Sequence, residues 1–113
     1  MSSMTGAERD EPIAIESEDD FEEAVASGDV VLVDFYADWC GPCQMMEPTM
    51  DAVAAGTDAT VLKVDVDRFQ ALASSFGVRG VPTLLLFVDG EEAERRVGVQ
   101  SEDALTSLIA QHG

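Results

Sequence analysis

The sequence predicts an α/β fold, a central mixed β-sheet flanked by helices on both faces. Three observations carry this expectation. Strand-like and helix-like segments alternate through the 113 residues in the order βαβαβαββα. Two runs, VVLVDFY (30–36) and TLLLFV (83–88), are apolar on both faces, as suits inner strands covered on either side. Asp89-Gly90 then gives a strong hairpin signal between the last two strands. The length suffices for one domain with one core.

Taken in order, residues 1–11 lack hydrophobic periodicity and read as a disordered acidic N-terminal tail, which leaves 12–113 as the domain. Pro12 to Ile15 reads as a short edge strand, where an initial proline is tolerated. Ser17 and Asp20 form a helix-capping pair, with Phe21, Ala24 and Val25 on one face and Gly28 ending the helix. The β-branched and aromatic run Val30–Tyr36 is the central strand. A helix from about Cys43 to Ala55 follows, with Pro48 expected to kink it.

Gly56 to Asp58 reads as a turn and TVLKVDV (60–66) as the next strand. Asp67 is expected to cap a short helix with Phe69, Leu72, Ala73 and Phe76 on its apolar side, stopped by Gly77. Residues 78–82 form a loop before the strand at 83–88. Its hairpin partner runs through Glu94, Arg95, Arg96 and Val97 as an exposed edge. Ser101 caps the last helix, with Ala104, Leu105, Leu108 and Ile109 facing inward.

The chemistry gathers where the central strand passes through Ala37, Asp38 and Trp39 into Cys40-Gly41-Pro42-Cys43. Both cysteines lie at a helix N-terminus, where unpaired N–H groups and the helix dipole favour a thiolate. The thiolate is the form that attacks disulfides. Gly41 allows the tight turn, Pro42 stiffens it, and two intervening residues let the sulfurs close a small ring. Cys40, preceding the helix, is expected to be the exposed attacker, and Cys43, one turn in, resolves the mixed disulfide.

Asp34 sits mid-strand where both faces should be buried. A carboxylate there is protonated, paired or functional, and desolvation should raise its pKa. A hydrogen bond to loop backbone is the structural alternative. Lys63, the only lysine in the chain, lies in an apolar context on the neighbouring strand, where a snorkelling surface side chain is the alternative. Trp39 stands in a polar transition into a loop and reads as a docking aromatic rather than core. The methionines at 45, 46 and 50 read as helix packing.

The balance of six Lys+Arg against 23 Asp+Glu gives a net charge of −17. Nucleic acid and anionic membrane surfaces need the opposite sign, so neither is an expected partner. The acids are scattered over the whole chain, which suggests a host with high internal salt, where screening removes self-repulsion. No apolar run approaches the length of a bilayer span. The polar, acidic start, MSSMTGAERDEP, does not read as a secretory signal, and the expected location is cytoplasmic. Two cysteines cannot fill a four-ligand zinc site and the single histidine, His112, is remote in sequence, so no metal is expected; zinc bridging two chains is the alternative.

WCGPC after an apolar strand carrying one Asp resembles the thioredoxin family, and the resemblance extends over about 12–112. It implies the thioredoxin fold and a thiol–disulfide oxidoreductase, a protein-disulfide reductase cycling between a Cys40–Cys43 dithiol and disulfide. It implies that Asp34 moves a proton to and from the resolving cysteine and that Lys63 is its partner. It implies a cis peptide at Val81-Pro82 packed against the sulfurs. Trp39, Gly41, Pro42, Val81, Pro82, Gly98 and Val99 would then form an apolar rim that receives oxidised protein substrates.

The same resemblance implies a monomer recycled by thioredoxin reductase, with no bound cofactor because the electrons travel in the cysteine pair. Two departures stand out. The segment from Pro48 to Thr60 looks short, and Gln44 replaces a basic residue often found after the motif, so the Cys40 thiol should ionise less readily at low salt. Two other activities compete. A disulfide oxidase or isomerase on the same fold is disfavoured by Gly41-Pro42 between the cysteines, and a non-catalytic binding subunit has no use for Asp34, Lys63 and Pro82 together.

Overall fold

A computed structural model of the chain describes residues 10–113. The tail expected at 1–11 therefore lies outside the described residues except for Asp10 and Glu11. Five strands form one sheet: β1 (Ile13–Ala14), β2 (Val31–Tyr36), β3 (Thr60–Asp65), β4 (Thr83–Val88) and β5 (Glu91–Val97), in the order β1-β3-β2-β4-β5. β2 pairs parallel with β3 and antiparallel with β4, so the sheet is mixed. β1 runs parallel to β3 at one edge and β5 antiparallel to β4 at the other.

Alternation along β2 divides the core into two. Val31, Val33 and Phe35 face one layer, built with Phe21 of α1 (Glu18–Ala26) and Leu72 and Ala73 of α4 (Gln70–Ser75). Leu32 faces the other, where α3 (Glu47–Gly56) supplies Met50, Val53 and Ala54 and α5 (Glu102–His112) supplies Leu105, Leu108 and Ile109. Asp34 shares the parity of Leu32, and Lys63 shares that of Val61, which also joins this second layer. Helices thus cover both faces.

Local signals account for most boundaries. The Ser17 hydroxyl accepts from the Asp20 amide at 3.2 Å, while Asp20 accepts from the Glu16 amide at 2.9 Å. Ser101 accepts from Ala104 N at 3.1 Å. Asp89 and Gly90 both take positive φ, 54° and 84°, as a two-residue hairpin turn requires.

Four expectations need correction. The helix expected from Cys43 begins at Gly41 and is broken, not kinked: α2 (Gly41–Met45) ends where α3 begins, with Met46 shared between them. Pro48 explains the break, since its missing N–H is tolerated in the first turn of a new helix but not within a continuing one. Asp67 does not cap α4. Asp65 organises that turn, its Oδ1 accepting from the amides of Asp67 and Arg68 at 2.9 and 3.4 Å. Ala104 is exposed, because the stripe of α5 that meets the sheet holds only the three larger residues. Met45 is 74% exposed while Met46 and Met50 are buried, the break having turned Met45 outward.

Candidate active site

Cys40 and Cys43 are joined in a disulfide with their Cα atoms 5.2 Å apart. Cys40 is the N-cap of α2, its amide donating to Ala37 O and its carbonyl accepting from Gln44 N, both at 3.1 Å. Its Sγ accepts from the Cys43 amide at 3.1 Å. A five-residue helix has little macrodipole, so this single N–H is the concrete source of stabilisation for negative charge on the Cys40 sulfur.

The expectation of an exposed Cys40 above a covered Cys43 is not met in the disulfide. Each residue is 4% exposed. Ala37 is buried with them, and Tyr36, Val66 and Val81 pack against the group. What separates the two sulfurs is the hydrogen bond received by Cys40, not accessibility.

The rim residues come from three chain segments. Trp39 is 71% exposed, its indole Nε1–H donating to Asp67 Oδ2 at 2.8 Å. That placement supports a surface role for the ring over a core one. Val81-Pro82 is a cis peptide, with Val81 against the cysteines and Pro82 buried. Gly98, at φ 92°, donates its amide to Pro82 O at 2.9 Å, which brings the β5 exit beside the cis peptide. Val99 and Val97 lie exposed in the same stretch. Gly41 and Pro42 form the exposed first turn of α2. A shallow cleft beside Trp39 and Val81 is completed by Val66, Val78, Arg79 and Gly80, none of which had a local sequence signal. Gln44 holds the loop before the motif, its Nε2 donating to Asp38 O at 2.8 Å.

Asp34 is 2% exposed and stands in register with Lys63 on β3 and Leu84 on β4. Its Oδ1 is buried without a hydrogen-bond partner, which argues against a carboxylate tied to loop backbone. Burial pushes its pKa up to about 6, partly opposed by the Lys63 charge and reinforced by Glu47. Lys63 does not close on Asp34. Its Nζ lies 3.7 Å from Glu47 Oε2 and 4.4 Å from the centre of the Tyr36 ring. Glu47, at the start of α3, had no signal in the sequence beyond an acidic first turn.

Among the described residues, no three His, Cys, Asp or Glu side chains are grouped so as to hold a metal ion. His112 instead pairs with Glu94 of β5 at 2.9 Å. No helix among the described residues is long and apolar enough to cross a membrane.

Comparison with known proteins agrees with this geometry. The thioredoxin family model matches residues 12–111. A thioredoxin of Chlamydia muridarum is 48% identical over 101 residues, covering 88% of this chain and 98% of that protein. A mutant thioredoxin from Halobacterium salinarum has a solved structure that superposes with a TM-score of 0.89 at 56% identity, over 92% of each chain. A thioredoxin from Nicotiana alata superposes with a TM-score of 0.81 at 40% identity, over 89% of this chain and 91% of that one.

Proposed function

Because this chain belongs to the thioredoxin family, a thiol–disulfide oxidoreductase acting as a protein-disulfide reductase, we propose the following division of work among its residues. The Cys40 thiolate attacks one sulfur of a substrate disulfide. A Cys40–substrate bond forms, the substrate S–S bond breaks, and the departing sulfur takes up a proton. Cys43 then passes its proton to Asp34 and attacks the Cys40 sulfur. The internal disulfide forms, the Cys40–substrate bond breaks, and the second substrate sulfur leaves and takes up a proton. Two electrons move from the dithiol to the substrate, and thioredoxin reductase returns them.

The observation that carries this reading is the closed Cys40–Cys43 pair in which the Cys43 amide points at the Cys40 sulfur. The sulfur that receives the hydrogen bond holds negative charge more easily, which supports attack by Cys40 and resolution by Cys43. A buried carboxyl group with a pKa near 6 suits acceptance and return of the Cys43 proton around neutral pH. Lys63 tempers that carboxyl group from the adjacent strand. Trp39, Gly41, Pro42, Val81, Pro82, Gly98 and Val99 form the surface onto which oxidised protein segments dock, with the backbone of Val81 open to strand-like pairing. Residues 12–113 work as one monomeric domain, in the cytoplasm of a host with high internal salt.

Dithiothreitol-driven insulin reduction tests the assignment. The wild type should accelerate precipitation of the insulin B chain, and Cys40→Ser should abolish the effect. Cys43→Ser should accumulate mixed disulfides in place of free product. Trapping by Cys40→Ser in place of Cys43→Ser would reverse the roles of the two sulfurs.

A further inference from the structure

We propose that Glu47 is a positioning residue for the redox site, holding the Lys63 ammonium away from Asp34 and so keeping the buried carboxyl group a stronger base than its lysine neighbour alone would allow. The proposal rests on the reading of Asp34 as proton acceptor.

Lys63 and Asp34 are register partners on adjacent strands and share one sheet face, so an ion pair between them would be the local default. Its ion-pair partner is Glu47 instead, 3.7 Å away, and its charge also rests over the Tyr36 ring. Meanwhile Asp34 Oδ1 is left buried and unpartnered. One cation thus faces two carboxylates, and the more solvated one, 55% exposed on its side chain, takes it. A pair this long and this exposed contributes little to stability, so its effect falls on the buried group beside it.

The groups that face Asp34 from each packed element are few. β3 supplies Lys63, α3 supplies Glu47, and β2 itself supplies Tyr36. β4 presents uncharged Leu84 in register, and α5 turns Leu105, Leu108 and Ile109 to this layer. Glu47 acts on Asp34 in the same sense by both routes open to it. It neutralises Lys63, and its own negative charge disfavours ionisation of a second carboxyl group nearby.

The test is direct titration of Asp34 by carbon NMR on the reduced protein carrying labelled aspartate, alongside the pH profile of insulin reduction. Glu47→Gln should move the Asp34 titration downward by roughly half a pH unit. Glu47→Asp, which keeps the charge, should restore most of that shift. In a Lys63→Met background the effect of Glu47→Gln should shrink. An unmoved Asp34 titration in Glu47→Gln overturns the proposal, and an undiminished effect without Lys63 overturns its route through that lysine. If the titration moves but the acidic limb of the rate profile stays in place, the coupling stands and the reading of Asp34 as proton acceptor falls.

Discussion

The indole N–H of Trp39 donates to Asp67 Oδ2 at 2.8 Å, across 28 residues of sequence. The bond fixes a ring that is 71% exposed beside the disulfide, in a position where it has few other contacts to hold it. A large aromatic side chain presented in one orientation loses less freedom on docking than one that swings. Asp67→Ala should therefore raise the KM for protein disulfides about two- to fivefold, equivalent to roughly 0.5–1 kcal/mol for an exposed hydrogen bond to a charged acceptor. The turnover of dithiothreitol-driven reduction at saturating substrate should hold. A KM unchanged within error would mean that the ring orients without Asp67.

Asp34 is expected to link activity and stability in opposite directions. Its folded pKa of about 6 lies above the reference value of 3.8, so the folded state binds a proton more tightly than the unfolded chain. Stability then falls as pH rises from about 4 to about 6, and the deficit is complete above the folded pKa. Asp34→Asn removes the ionised group, so the variant should be about 3 kcal/mol more stable than the wild type at pH 7.5. That advantage should fade by pH 4, where both proteins carry a neutral side chain. Reduction at neutral pH should meanwhile slow roughly tenfold, at the resolving step. Denaturant melts at the two pH values measure the first effect and rapid-mixing kinetics the second. A variant whose advantage over the wild type is no greater at pH 7.5 than at pH 4 would show that burial does not strain the carboxylate.

The order of elements, the inner strands and the helix starts at Ser17 and Ser101 were legible because each rests on a neighbour within four residues. The hairpin at Asp89-Gly90 was legible for the same reason, since two positive φ values admit few residue types. Cys40, Cys43 and Asp34 stood out as chemistry placed against the grain of an apolar strand and its exit. The failures share a different cause. Asp67 looked like a cap because local pattern cannot see Trp39 coming from another segment. Lys63 acts on Asp34 through its charge, as the resemblance implies, but the sequence does not reveal that α3 brings Glu47 within 3.7 Å of its ammonium. Cys40 looked exposed because position before a helix does not reveal Val81 arriving from the loop ahead of β4.

Gly98 joins two parts of the rim through its amide bond to Pro82 O. Its φ of 92° is strained for any residue with a Cβ, although an added Cβ would meet no atom within 4 Å. Gly98→Ala should thus cost about 1 kcal/mol through the backbone alone. The strain should be relieved by a shift of 97–99 that loosens the Pro82 contact. Docking should weaken, seen as a raised KM for insulin, while the rate at which iodoacetamide alkylates the reduced protein stays near that of the wild type. A large change in alkylation with no change in KM would place Gly98 in support of the thiols and not of the docking surface.

The net charge of −17 leaves most surface acids with no cation to face, since only six Lys and Arg side chains are present. Among the described residues, three of these side chains already form ion pairs: Lys63 with Glu47, Arg95 with Glu92 and Arg96 with Glu94. Glu94 is held by His112 first and Arg96 second, and both push its pKa below the usual carboxylate value. The rest of the surface repels itself. At about 0.1 M salt the screening length is roughly 10 Å, long enough for neighbouring carboxylates to interact, and at about 1 M it falls to roughly 3 Å. Raising KCl from about 0.1 to 2 M should therefore lift the melting temperature at pH 7.5 by about 5 °C or more, as a gain near 1 kcal/mol would in a domain of this size. The lift should shrink as pH falls toward 4, because protonation of the surface carboxylates removes the same repulsion. Melts that are flat in KCl at pH 7.5 would mean that the acids are spaced widely enough to need no screening.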